Sequence, residues 1–250
     1  MPPRRAVLAL LLALFPTLAC AATSEPVTFP AADGVVVHGD LYRPVGPPRG
    51  VLLLFHQAGS NRLEYAPVAP KLAALGWVAL AIDQRSGGAL FGGRNLTAAA
   101  VRDDPGYMAT LPDLEAALAW ARARWPDMRP AVWGSSYSAA LVFVLAARHP
   151  ADISAVLAFS PGEYLSGVSV RAAAARVAVP LYVTSASDGD EETAAANLLA
   201  ASPSHLKRQA RARDGVHGSA TLRPDANPSG AAANFADVAA WLAALPAPAR

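Results

Sequence analysis

Gly134-Ser135-Ser136-Tyr137-Ser138 sets a serine among small residues, between the short apolar run 131–133 and an alanine-rich stretch. A strand that turns this sharply into a helix holds its central residue in a strained backbone conformation. Small residues two before and two after that centre let strand and helix approach closely. The start of the helix then aims backbone N–H groups at negative charge developing beside Ser136. A serine hydroxyl is a weak nucleophile until a base takes its proton, and that base needs an orienting carboxylate. The pattern therefore asks for a histidine and an acid elsewhere in the chain.

Of the five histidines, His38 falls inside an expected strand, His149 closes a helix before Pro150, and His205 precedes the last strand. His56 ends a strand early in the chain. His217 is different: Asp214-Gly215-Val216-His217-Gly218-Ser219 is a loop after the last strand and before the final helix, and His217 is the expected base. The acid is sought in Thr184 and the eight residues after it, where Asp188 is the first carboxylate past a strand end and Asp190 is the alternative. Glu191 and Glu192 suit the first turn of the next helix, where negative charge is favoured. No cluster of His, Cys and Asp has metal-ligand spacing, so neither a metal nor an organic cofactor is expected.

These residues need a scaffold that brings them together. Continuous apolar runs at 51–55, 77–82, 131–133, 153–159 and 179–184 each end in a polar residue or Gly, as strands buried on both faces do. Residues 35–42 read as a further strand, with 27–29 as its partner, and 206–212 as the last. Helical patterns over 65–75, 108–125, 137–148, 191–201 and 231–245 separate them. Strand and helix in alternation predict an α/β fold, a doubly wound and mostly parallel sheet flanked by helices. Chemistry in such sheets sits at the carboxyl ends of the strands, where Ser136, Asp188 and His217 all fall. The loop 85–104, rich in Gly and polar residues, is the longest irregular stretch, and such loops are usually functional or mobile.

Five segments together resemble the α/β-hydrolase superfamily: His56-Gln57, Asp83-Gln84-Arg85-Ser86-Gly87, the Ser136 turn, the Asp188 turn and the His217 loop. The chain order serine, acid, histidine is that of the superfamily. The compact, dienelactone-hydrolase-like members are the nearest match, although they often carry a Cys where this turn has Ser136. Ser138 stands where the superfamily turn usually ends in Gly, and its hydroxyl is expected to bond backbone without entering the pocket. The resemblance implies an oxyanion hole formed by the N–H of Tyr137 and that of Ala58, with Gln57 close behind and its side-chain amide also able to face the pocket. It makes the segment from Asp83 mostly structural. It implies hydrolysis of an ester-like carbonyl in a small-molecule substrate, with an amide or lactone as variants. A catalytically inactive binding module of the same fold, or an envelope lipoprotein, is the rival reading. About twenty residues between two strands are too few for a large cap domain, so an open site is expected.

With 53% apolar and 16% charged residues in a chain of 250, there is material for a large core and no signature of disorder. A net charge of +2 without a Lys/Arg stripe argues against a nucleic-acid partner. Residues 1–22 run from Arg4-Arg5 through the apolar stretch 6–15 to small residues at 19–22, the order of an export signal. A single catalytic domain over 23–250 follows, expected in the periplasm or outside the cell. Cys20, after Leu18-Ala19, raises the possibility of a lipoprotein anchor, the one route to a membrane in this reading. As the only cysteine it excludes a disulfide within the chain.

Overall fold

The apolar runs form the strands. In β3 (Gly50–Phe55), β4 (Trp77–Ile82), β5 (Ala131–Ser135), β6 (Ala155–Phe159) and β7 (Leu181–Ser185) every residue is buried. The computed structural model describes residues 23–101, 103 and 106–246; the expected export signal and Cys20 lie outside these. β1 (Ser24–Pro30) and β2 (Val36–Tyr42) pair antiparallel, β2 joins β4 antiparallel, and the remaining pairs down to β8 (Lys207–Arg211) are parallel. The eight strands lie in the order β1-β2-β4-β3-β5-β6-β7-β8. Chain order reverses at β3, which lies between β4 and β5. That reversal opens a crevice at the carboxyl ends of β3 and β5, the place where such sheets bind ligands.

Alternation along a strand sends successive side chains to opposite faces. Val51, Leu53 and Phe55 join one apolar cluster and Leu52 and Leu54 the other. The first cluster is closed by α2 (Leu111–Arg124), α3 (Tyr137–Arg148), α4 (Val170–Ala174) and α5 (Gly189–Ala201). Against the other face lie α1 (Ala69–Ala74) and α6 (Ala231–Ala244), which contribute Leu72 and Trp241. All of α3 from Tyr137 to Ala147 is buried. A helix apolar all round is one packed on every side, and this one carries the serine turn at its head.

The element pattern follows the sequence with two local differences. The helix expected over 65–75 is divided into a 3₁₀ turn, Arg62–Tyr65, and the short α1, because Pro67 has no N–H to give to a continuing helix. Between β6 and β7 the chain forms the short α4 and no cap domain. The glycine-rich loop after β4 is stitched to its neighbours. Gly88 N–H donates to Ser60 O, Leu90 N–H to Gly59 O, and Asn61 Nδ2 to the carbonyls of Gly88 and Gly92.

Candidate active site

Ser136 follows β5 directly and has φ 59° and ψ −121°, a region that costs a non-glycine residue on the order of 1–3 kcal/mol. The surroundings enforce it. A Cβ on Gly134 would sit 2.2 Å from the carbonyl oxygen of Ser138, so strand and helix meet only because residue 134 is glycine. Ser136 N–H donates to Phe159 O at 2.8 Å, and its side chain does not cap α3. Ser138 is fully buried; its hydroxyl donates to His56 O at 2.6 Å and accepts from Gln84 Nε2 at 2.8 Å. The extra hydroxyl in the turn thus ties α3 to the loop after β3, a backbone bond of the kind expected for it.

His217 Nε2 lies 2.8 Å from Ser136 Oγ, and His217 Nδ1 lies 2.7 Å from Glu191 Oε1. A carboxylate only accepts, so the ring proton belongs on Nδ1 and Nε2 is left to accept the serine hydroxyl. Gly218, at φ +69°, makes the turn possible, since a Cβ there would overlap Ser135 Oγ at 2.4 Å. Ser219 N–H donates to that same Ser135 oxygen. Ser136 is 9% exposed, whereas the His217 side chain is 41% exposed, so the base is open to solvent.

The acid beside His217 is therefore neither Asp188 nor Asp190. Asp188 is the N-cap of α5: its Oδ1 accepts from the N–H groups of Asp190 and Glu191 at 3.0 and 3.2 Å. Asp190 sits in the first turn, and no bond joins its carboxylate to His217. Glu191, whose position suits a helix-terminus role, crosses to the histidine instead. Its second oxygen accepts Ala186 N–H at 3.0 Å. Burial opposes ionisation of Glu191, but the Ser160 hydroxyl, His217 and Ala186 N–H outweigh it and hold the carboxyl below its ordinary value.

The loop after β3 needs a second correction. Gln57 N–H is not available to an oxyanion, because it donates to Glu64 Oε2 at 2.8 Å. The Gln57 side chain packs against Gly218, its Oε1 3.4 Å from where a Cβ of that glycine would lie. Ala58 N–H and Tyr137 N–H have no acceptor among the described residues, as donors waiting for a ligand oxygen would. Sequence reasoning missed Glu64. It is fully buried, its Oε1 has no hydrogen-bond partner, and burial pushes its carboxyl up to about 7 despite the opposing effects of its polar neighbours and of Arg223. His56 is also fully buried, with Nδ1 on Gln57 O at 2.8 Å and Nε2 accepting Gln84 N–H at 3.0 Å. Burial lowers this imidazole to about 4, so it is neutral.

Asp83 accepts Arg62 N–H and Leu96 N–H and pairs with the Arg62 guanidinium, while Arg85 pairs with buried Asp113 and with Asp33. These residues brace the loops around the crevice and do not touch Ser136. Among the described residues no group of three or more His, Cys, Asp or Glu is placed to hold a metal ion.

The family described as "Serine aminopeptidase, S33" matches residues 46–223. A monoacylglycerol lipase of Mycolicibacterium smegmatis is 29% identical over 139 residues, 56% of this chain; the chain spans only 47% of that relative's length. Among solved structures, a dienelactone hydrolase from Anabaena variabilis superposes with a TM-score of 0.70 at 20% identity, over 89% of this chain and 98% of that one. A thermostable carboxyl esterase from Bacillus coagulans gives 0.68 at 14% identity, over 89% and 99%. An esterase from Pyrococcus furiosus gives 0.66 at 17% identity, over 97% and 96%. At these identities the structures speak to the fold, which is that of α/β hydrolases.

Proposed function

The chain belongs to the Serine aminopeptidase, S33, family of α/β hydrolases, and from that premise we propose that it hydrolyses carboxylic esters through an acyl-enzyme on Ser136. The observation that carries the reading is the line Ser136 Oγ, His217 Nε2, His217 Nδ1, Glu191 Oε1, with contacts of 2.8 and 2.7 Å. His217 takes the hydroxyl proton as Oγ attacks the carbonyl carbon, and the resulting oxyanion receives the N–H groups of Ala58 and Tyr137. The imidazolium gives its proton to the departing alcohol. Water then enters, His217 takes its proton, and collapse of the second tetrahedral adduct frees the acid and restores Ser136. Glu191 keeps the ring in the reactive tautomer and stabilises it while charged.

Ester over amide is favoured by the names of proteins it resembles, a monoacylglycerol lipase and two esterases. The family description leaves an aminopeptidase as the competing activity. From residues 1–22 we place the activity in the periplasm or outside the cell. Labelling with a fluorophosphonate probe, followed by turnover of short p-nitrophenyl esters and of aminoacyl p-nitroanilides, tests the proposal. Wild type should be labelled and should cleave the esters faster, and Ser136→Ala should do neither. An unlabelled wild type would make this an inactive binding module; faster anilide cleavage would make it a peptidase.

A further inference from the structure

β6 does not contribute a member of the Ser136, His217 and Glu191 set, yet its last residue and the one after it touch all three of their loops. Phe159 O accepts Ser136 N–H at 2.8 Å. The next residue, Ser160, turns at φ +53° and is 1% exposed, its N–H donating to Thr184 O at 2.7 Å. Its hydroxyl oxygen accepts Gly218 N–H, beside His217, at 2.8 Å. The same hydroxyl helps hold the Glu191 carboxyl below its ordinary value.

The side chain is the informative part. A left-handed φ suits glycine best and asparagine or aspartate next. If the turn needed only backbone, a glycine would relieve it, but a glycine would leave Gly218 N–H without its acceptor in a buried place. We propose that Ser160 is a positioning residue of the active site, its hydroxyl accepting from Gly218 N–H so that the base loop stays in line with Ser136 and Glu191. This rests on the reading of Ser136, His217 and Glu191 given above. Ser160 touches no substrate. Its effect is felt when His217 becomes charged, because a base loop tied at Gly218 N–H keeps the ring against an acid held at its other oxygen by Ala186 N–H.

Two variants separate the hydroxyl from the turn. Ser160→Ala deletes the hydroxyl and keeps the strained φ; Ser160→Gly deletes the hydroxyl and relieves the strain. Each is assayed for kcat and KM on a short p-nitrophenyl ester, and the downfield proton resonance of His217 Nδ1–H is recorded by NMR. Leaving the buried Gly218 N–H without its acceptor predicts that kcat falls about tenfold to a hundredfold in both variants, with KM little changed. The resonance should shift or broaden in both. Should Ser160→Gly keep the wild-type kcat and resonance, the serine serves the turn alone and the proposal is overturned, whether or not Ser160→Ala folds. Glu191→Ala is run alongside: if it retains full activity, the reading of the acid has failed, which is a separate outcome.

Discussion

Glu64 and His56, one loop apart and both fully buried, titrate in opposite senses over nearly the same range. The Glu64 carboxyl, ordinarily 4.5, is pushed up to about 7 by burial. The native state therefore holds this proton more tightly than the unfolded chain does. Its contribution to stability is complete below the unfolded value of 4.5 and is lost as pH rises through about 7. His56 is lowered from 6.5 to about 4. Here the unfolded chain binds the proton more tightly, so the contribution is present above 6.5 and is lost as pH falls towards 4. Each shift is worth about 3 kcal/mol across its window. The two slopes cancel where the windows overlap, so this pair leaves little mark on the wild-type stability profile. Glu64→Gln removes one slope while its amide oxygen can still accept Gln57 N–H. Urea unfolding at steps from about pH 4.5 to about pH 7.5 gives the difference between wild type and variant, in which His56 and all other groups cancel. That difference should move by about 3 kcal/mol in favour of the variant as pH rises. The variant's own stability should climb with pH, now that the His56 slope is unopposed. A difference constant to within about 1 kcal/mol across the range would show that Glu64 titrates as an ordinary carboxyl and would refute the reasoning.

Two further predictions concern the site itself. Glu191→Gln keeps the side-chain length but can present an amide N–H to Nδ1 and favour the wrong tautomer, so kcat on a p-nitrophenyl ester should fall by about a thousandfold or more; Asp188→Ala should leave kcat within about twofold and lower stability by about 1 kcal/mol, as loss of an N-cap does. Ser138→Gly deletes the hydroxyl between His56 O and Gln84 Nε2, so chemical denaturation should show a loss of about 1–3 kcal/mol. Its activity should stay within about tenfold of wild type, well above that of Ser136→Ala.

The fold was legible because its signals are local and redundant. Each of β3, β4 and β6 is a run of apolar residues long enough to cross a buried sheet, and the helices between them leave few other topologies. Ser136 and His217 were legible for a related reason: one lies in a turn with its own spacing rule, the other in a loop at a fixed place in the order of elements. Short elements were harder. α4 has five residues and a single cap, Ser169, and α1 has six and is displaced by Pro67, so neither carries two full helical turns.

The two glutamates were hidden by one and the same rule. Glu191 is the third residue after the N-cap Asp188, and Glu64 the third after the N-cap Asn61. At that position a glutamate normally folds back on the N-cap N–H, and a sequence reading is right to assign it there. Here both leave the helix end. Glu191 takes Ala186 N–H and His217, and Glu64 takes Gln57 N–H, contacts made with residues 5, 26 and 7 positions away. Distance from the strand end favoured Asp188, but the same capping logic argues against it. A residue whose carboxylate is already bonded to two helix N–H groups has its accepting oxygen committed and its side chain turned along the helix. Asp190, Glu191 and Glu192 remain in that first turn, and the extra methylene of glutamate lets Glu191 span from α5 to the His217 ring. An N-cap aspartate followed three residues later by glutamate, past a strand one removed from the serine turn, thus makes that glutamate a candidate for the carboxylate beside the histidine.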